Sequence, residues 1–201
     1  MKREPNKQEL LGILVRNSVC RGNFTLASGA QSDLYIDARL TTLDPRGARL
    51  IGRVGWKLIK ENTIPGGEIG AVGGLTMGAD PIALSVALAA LSDNPSIALQ
   101  AFVVRKSVKA HGRQKLIEGN FQKGHLVVVI DDVITTGGST LQAIEAVENA
   151  GGRVAFVLVL VDREEGGREA IEKQGHKVVA IFTRTDLIGA SAGSPSQSVV
   201  A

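Results

Sequence analysis

Two adjacent carboxylates at the end of an apolar run are the first feature of this sequence able to do chemistry. Val127-Val128-Val129-Ile130 is wholly apolar, Asp131 and Asp132 follow, and Val133-Ile134-Thr135-Thr136-Gly137-Gly138-Ser139-Thr140 leads into a helical pattern. Glycines let backbone N–H groups approach an anion closely, and the serine and threonine hydroxyls add donors. A helix N-terminus adds unpaired N–H groups and a partial positive charge. These parts make a cradle for one phosphate. The carboxylates do not favour that phosphate; they suit sugar hydroxyls, or a Mg²⁺ ion carrying the rest of a substrate. The plain alternative makes Asp131 and Asp132 turn residues and Ser139 an N-cap. Two carboxylates beside a buried strand fit that poorly, because the site is electrostatically costly unless something binds there. The ATPase phosphate loop is excluded, since the segment holds no Gly-Lys-Ser/Thr.

A second segment is rich in cations. Arg105-Lys106-Ser107-Val108-Lys109-Ala110-His111-Gly112 precedes Ile117-Glu118-Gly119. Four ionisable donors so close together can meet a pyrophosphate, although composition alone favours a solvated basic loop. A third segment, Val161-Asp162-Arg163-Glu164-Glu165-Gly166-Gly167-Arg168, holds a planar guanidinium suited to a carboxylate. The alternative there is a surface ion-pair cluster, which suits Arg168 better than Arg163.

The elements that must position these groups follow from periodicity. Asn6 and Glu9 have the spacing of a capping box ahead of Leu10, Leu11, Leu14 and Val15. Phe24–Leu26 and Leu34–Asp37 read as short strands about a Ser28-Gly29 turn. Asp44-Pro45 opens a helix with Leu50, Ile51, Val54, Leu58 and Ile59 on one face. Strands are then expected at Ile69–Gly73, Ala98–Val104, Leu126–Ile130, Val154–Val161 and Lys177–Phe182. Helices are expected from Pro81 to Leu91, Ser139 to Ala150 and Gly167 to Gln174, with Arg105–Gly119 left as a polar segment. Apolar strands alternating with helices predict an α/β fold with a central parallel sheet flanked by helices. In such sheets ligands bind beyond the carboxyl ends of the strands.

Composition narrows the function classes. The chain has 201 residues, which suits one domain. Its net charge of +3 permits a polyanionic substrate without the dense basic stripe of a nucleic-acid binder. Aromatics are only 3%, too few for a base-stacking platform. Cys20 is the single cysteine, read as a small core residue, and excludes an intramolecular disulfide, which fits a reducing cytoplasm. The N-terminal residues are polar, with no leader pattern, and no apolar run is long enough for a bilayer. No His/Cys cluster has metal-ligand spacing, and His125 and His176 read as solvent-facing turn residues.

The acidic-pair segment resembles the phosphoribosyl pyrophosphate motif of type I phosphoribosyltransferases. The order Arg-Lys-x-x-Lys-x-His-Gly…Ile-Glu-Gly resembles the catalytic loop of the orotate phosphoribosyltransferases. Phe24-Thr25-Leu26-Ala27-Ser28-Gly29…Ser32-Asp33-Leu34-Tyr35-Ile36-Asp37 resembles that family's N-terminal hood. The likeness runs from about Asn6 to Leu187. It implies one phosphoribosyltransferase domain over residues 1–188, with a hood over about 1–40 and a disordered tail at 189–201.

The resemblance also implies roles. Asp131 and Asp132 meet the ribose hydroxyls and water on Mg²⁺, with no direct protein ligand to the metal. Val133, Ile134, Thr135, Thr136, Gly137, Gly138, Ser139 and Thr140 surround the 5-phosphate. Arg105 and Lys106 bind phosphate oxygens, and Lys109 and His111 close over the leaving pyrophosphate. Arg163 pairs with the orotate carboxylate, while backbone groups near Tyr35 and Ile36, and Thr135, contact the base. Loop 105–119 of one subunit reaches the partner's site, so a homodimer is implied. The expected partners are orotate and phosphoribosyl pyrophosphate, with neither nucleic acid nor membrane. The sequence departs from relatives that carry basic residues at Ala27, Ala30, Gln31 and Met77, so fewer cations line this site. A phosphoribosyltransferase for another base, and a non-catalytic sensor of phosphoribosyl pyrophosphate, remain the alternatives.

Overall fold

The computed structural model describes residues 4–25, 31–64, 67–107 and 115–191. Helix α1 (Pro5–Ser18) starts one residue ahead of the expected capping box. Glu4 is the extended N-cap residue and Pro5 takes the first position, so the Asn6–Glu9 pair is not the cap. The fixed φ of proline and its missing N–H suit that place better than any side-chain cap.

Strands β1 (Val19–Thr25) and β2 (Gln31–Ile36) form a two-stranded antiparallel hairpin apart from the main sheet, in the place expected of a hood. β1 begins as soon as α1 ends, earlier than expected. This puts Cys20 on the hairpin opposite Tyr35, half-exposed rather than in the core. A lone hairpin is marginal in water, and this one is tied to the body by buried Leu34, by Val19 and Ile36 packed on the core, and by two side-chain bonds. Arg184 donates to Asp33 at 2.6 Å, and Arg21 donates to the Ile188 carbonyl at 2.9 Å.

The one-turn helix α2 (Arg39–Thr42) leads into α3 (Pro45–Asn62). Asp44 caps α3 as its sequence predicts, accepting from the N–H groups of Arg46 and Gly47 at 3.0 and 2.8 Å. Strand β3 (Ala71–Leu75), helix α4 (Ala79–Asp93) and strand β4 (Gln100–Val104) follow. Next come β5 (Ile117–Gly119), β6 (Leu126–Ile134) and α5 (Gly138–Asn149), then β7 (Arg153–Asp162), α6 (Gly167–Glu172), β8 (Val178–Thr183) and α7 (Arg184–Ser191).

The strand order is β5-β4-β3-β6-β7-β8. All neighbours are parallel except β5, which runs antiparallel to β4. β5 is the element that the polar reading of Arg105–Gly119 missed. The chain moves outward from β3 to β4 on one side and from β6 to β8 on the other. The topological switch point therefore lies between β3 and β6, where a ligand crevice is expected. Helices α1, α3 and α4 cover one face of the sheet, and α5 and α6 the other.

Three boundaries moved for physical reasons. β3 runs to Leu75, two residues past its expected end at Gly73, with Gly74 packed so closely on β6 that a Cβ would stand 1.9 Å from the Ile130 carbonyl oxygen. Pro81 is the third residue of α4, where its missing N–H costs nothing because the first-turn donors are unpaired anyway. Thr183 and Asp186 exchange backbone–side-chain hydrogen bonds at 3.1 and 3.2 Å and so start α7. That helix includes Gly189–Ser191, which the sequence reading assigned to the tail. No helix among the described residues is long and apolar enough to cross a membrane.

Candidate active site

β6 continues through the acidic pair instead of ending before it. Asp131 lies opposite Val159 and Ile134 opposite Asp162. Side chains alternate along a strand, so the two carboxylates diverge. Asp131 meets α5, where the Thr140 hydroxyl donates to its Oδ2 at 2.5 Å. Asp132 meets Gly78, on which a Cβ would stand 2.3 Å from Oδ1. Only glycine leaves that carboxylate its place.

Asp131 is 7% exposed. Burial, and then the neighbouring charge of Asp132, push its carboxyl up to about 7, although the Thr140 hydroxyl pulls the other way. Burial also raises Asp132, with the Arg39 guanidinium opposing the rise. A desolvated acidic pair without a full cationic partner is receptive to polyhydroxyl groups or a cation.

The loop after β6 turns sharply at Gly137, whose φ of 84° suits glycine and which leads directly into α5. No side chain caps this helix, so its first N–H groups remain available to an anion. Thr136, Gly138 and Ser139 are exposed at that end, and Thr135 is half-buried. Thr140 is a correction. Its side chain is buried and its hydroxyl donates to Asp131, so that hydroxyl is not among the phosphate donors. Ser139 is likewise not the N-cap; Gly137 is. Ile134 is buried, and its carbonyl accepts the Arg163 N–H at 3.0 Å, so it braces the loop from behind.

A cleft of about 320 Å³ opens at this edge of the sheet. Its walls are Tyr35 to Arg39 from the hood and α2, Leu75 to Gly78 after β3, Lys106 after β4, and Asp131, Asp132, Val133 and Ser139. A larger cleft of about 880 Å³ lies at the opposite edge, beside Gln100, His125 and Arg153. It holds no comparable desolvated pair among the described residues, and size alone does not make it the site. His125 there is half-buried over Gly70 rather than solvent-facing. His176 is also half-buried, 3.7 Å from Glu148.

The other expected residues are placed less uniformly. Arg105 turns toward Glu118 of β5 at 3.9 Å and does not line the cleft. Lys109 and His111 lie outside the described residues, as does Ala27. Arg163 is 4% exposed, pairs with Glu165 at 2.7 Å and is also absent from the cleft wall. Arg168 instead meets buried Asp162 at 2.7 Å, and Asp162 also accepts the Glu164 N–H. Arg39, Asp37 and Gly78 are the cleft residues that sequence reasoning missed. Among the described residues, no group of three or more His, Cys, Asp or Glu is arranged to hold a metal ion.

Comparison with known proteins places this geometry. The phosphoribosyl transferase domain family matches residues 43–192. The orotate phosphoribosyltransferase of Mycobacterium tuberculosis (strain ATCC 25618 / H37Rv) is 44% identical over 183 residues, which is 91% of this chain and 97% of that protein. The orotate phosphoribosyltransferase of Rhodopirellula baltica is 41% identical, over 88% of this chain and 91% of that one. The crystal structure of the M. tuberculosis H37Rv enzyme in complex with 5-phospho-alpha-D-ribosyl 1-diphosphate superposes with a TM-score of 0.74 at 38% identity. It covers 91% of this chain and 99% of that one.

Proposed function

Since this chain belongs to the phosphoribosyl transferase family, and within it to the orotate phosphoribosyltransferases, we infer that it joins orotate to phosphoribosyl pyrophosphate, giving orotidine 5'-monophosphate and pyrophosphate. The observation that carries this reading is the desolvated Asp131–Asp132 pair beside the uncapped N-terminus of α5. It suits one molecule with a phosphate at one end and sugar hydroxyls next to it.

In this reading the 5-phosphate rests on backbone N–H groups and hydroxyls from Thr135 to Ser139, at the positive end of α5. Asp131 and Asp132 accept from the ribose hydroxyls. Orotate lies under the hood against backbone groups of Tyr35 and Ile36 and against Thr135. Its carboxylate meets Arg163, which must then share its guanidinium with Glu165. Arg105 and Lys106 stand at the base of the loop, and Lys109 and His111 close over the pyrophosphate. Breaking the C1–O bond places positive charge on the sugar and negative charge on the leaving group, and cations arriving with a closing loop stabilise the latter while excluding water.

The donors present fit Mg²⁺, a hard cation that prefers oxygen ligands and keeps several waters. Held through the substrate and through water on Asp131 and Asp132, it would offset charge on the pyrophosphate. A homodimer sharing loop 105–119 completes the reading. Leu40, Leu43, Met77, Leu84, Leu88 and Leu91 are each at least half exposed along α2, the 76–78 turn and α4, the kind of apolar surface that a partner subunit covers. The reaction belongs to the cytoplasm.

The test is loss of orotate absorbance when purified protein meets Mg²⁺, orotate and phosphoribosyl pyrophosphate, with uracil, adenine and hypoxanthine run in parallel. Turnover with orotate alone is expected. Turnover with a different base, or binding of phosphoribosyl pyrophosphate without turnover of any base, would overturn the reading.

A further inference from the structure

We propose that Arg39 is a binding residue for the pyrophosphate of phosphoribosyl pyrophosphate, an assignment that rests on the function inferred above.

The placement of the substrate leads to it. With the 5-phosphate at α5 and the ribose hydroxyls on Asp131 and Asp132, the C1 end of the sugar points away from α5. It faces the wall made by Asp37 to Arg39 and by Thr76 to Gly78. A diphosphate there needs cations. Among the described residues, that cleft offers two, Arg39 and Lys106. Lys106 precedes the closing loop, whereas Arg39 opens α2 and stands in the cleft without any loop having to close.

Its geometry suits a diphosphate. Asp37 accepts from Arg39 Nε at 2.8 Å and from a terminal nitrogen at 2.9 Å. This two-point contact fixes the plane of the guanidinium and leaves its remaining N–H groups for phosphate oxygens. The hydrogen bonds to Asp37, and then its charge, also favour the protonated guanidinium. An exposed pair of this kind adds little to fold stability, so holding the structure together is a poor explanation for it. Arg39 acts electrostatically on Asp132 as well, lowering the carboxyl that burial raises. One cation therefore addresses both the acidic pair and the ligand laid across it.

Calorimetric binding of phosphoribosyl pyrophosphate and of orotidine 5'-monophosphate, with Mg²⁺ present, separates the possibilities, because only the first carries a pyrophosphate. Arg39→Ala should weaken phosphoribosyl pyrophosphate about tenfold or more, as loss of a charge-assisted hydrogen bond does, and weaken pyrophosphate as a product inhibitor to a similar degree. Orotidine 5'-monophosphate should bind nearly as before, and Arg39→Lys should recover part of the loss. Asp37→Asn breaks the ion pair but keeps the cation, so it should cost less than Arg39→Ala. Equal weakening of both ligands, unchanged phosphoribosyl pyrophosphate affinity, or an Asp37→Asn defect as large as that of Arg39→Ala would overturn the assignment. If the parent protein binds phosphoribosyl pyrophosphate through Arg39 yet turns over no orotate, the inferred reaction fails and this assignment stands. If orotate turns over and Arg39→Ala binds like the parent, only this assignment fails.

Discussion

The Thr140 hydroxyl and the Asp131 carboxylate meet at 2.5 Å inside the protein, with both residues almost fully buried. Each is placed by a different element, Asp131 by β6 and Thr140 by the first turn of α5. The bond therefore holds the N-terminal end of α5 and the Asp131 carboxylate at a fixed spacing. It also lowers the pKa that burial raises.

Thr140→Val keeps the shape and removes the donor. Loss of a hydrogen bond to a buried charge costs about 1–3 kcal/mol, which chemical denaturation will read. The Asp131 carboxyl should also rise further above about 7, so the acid limb of the kcat/KM profile should move to higher pH.

Asp131 itself opposes folding at neutral pH. Its folded-state pKa of about 7 lies above the ordinary 3.8, so the folded state holds its proton more tightly than the unfolded one. Stability from this group is then fully present below about pH 4, falls as pH rises toward 7, and levels off above that. Asp131→Asn should consequently raise stability most above pH 7 and little below pH 4, by a few kcal/mol at most, while weakening phosphoribosyl pyrophosphate. Denaturation midpoints across pH without ligand check it.

Gly78→Ala is acceptable to the backbone, which is helical there, but its Cβ would displace Asp132. Fold stability should change by less than about 1 kcal/mol. Affinity for phosphoribosyl pyrophosphate should fall about tenfold or more, as when a hydrogen bond to a charged group is lost. Thermal melts and binding titrations separate the two effects.

Sharing of sites between subunits is tested by mixing inactive Lys109→Ala and Arg163→Ala proteins. Lys109→Ala alone should lower turnover on the order of a hundredfold, the scale for losing one transition-state charge contact, with much less effect on orotate binding. Heterodimers should recover part of the activity. No recovery after proven subunit exchange would count against a crossing loop.

Much of this site was legible because its parts are contiguous. The acidic pair, the glycine turn and the start of α5 fall within one run, Asp131 to Ser139. Asp44 and Pro45 announced α3 by a local rule. Gly78 was not legible, because its constraint comes from Asp132, 54 positions away. Arg39 carried no signal in the sequence, because its direction comes from Asp37 and the cleft wall. Thr140 was misjudged for a helical reason. Successive residues of a helix turn by about 100°, so exposed Ser139 leaves its neighbour facing the strand. β5 escaped because three residues inside a polar stretch show no usable period.

The ladder from Leu126 opposite Arg153 to Ile134 opposite Asp162 carries the acidic pair and ends next to Arg163. The hood is a two-stranded hairpin outside the main sheet, joined to the body through Leu34, Val19, Ile36 and the Arg184 and Arg21 bonds. Amide protons of β6 and β7 should exchange with deuterated solvent only when the whole domain unfolds, while those of β1 and β2 should exchange through local opening. The strand that carries the acidic pair would then keep its shape while the hood opens. In the proposed reaction, opening of the hood would then add to opening of the 105–119 loop in letting orotate enter and orotidine 5'-monophosphate leave.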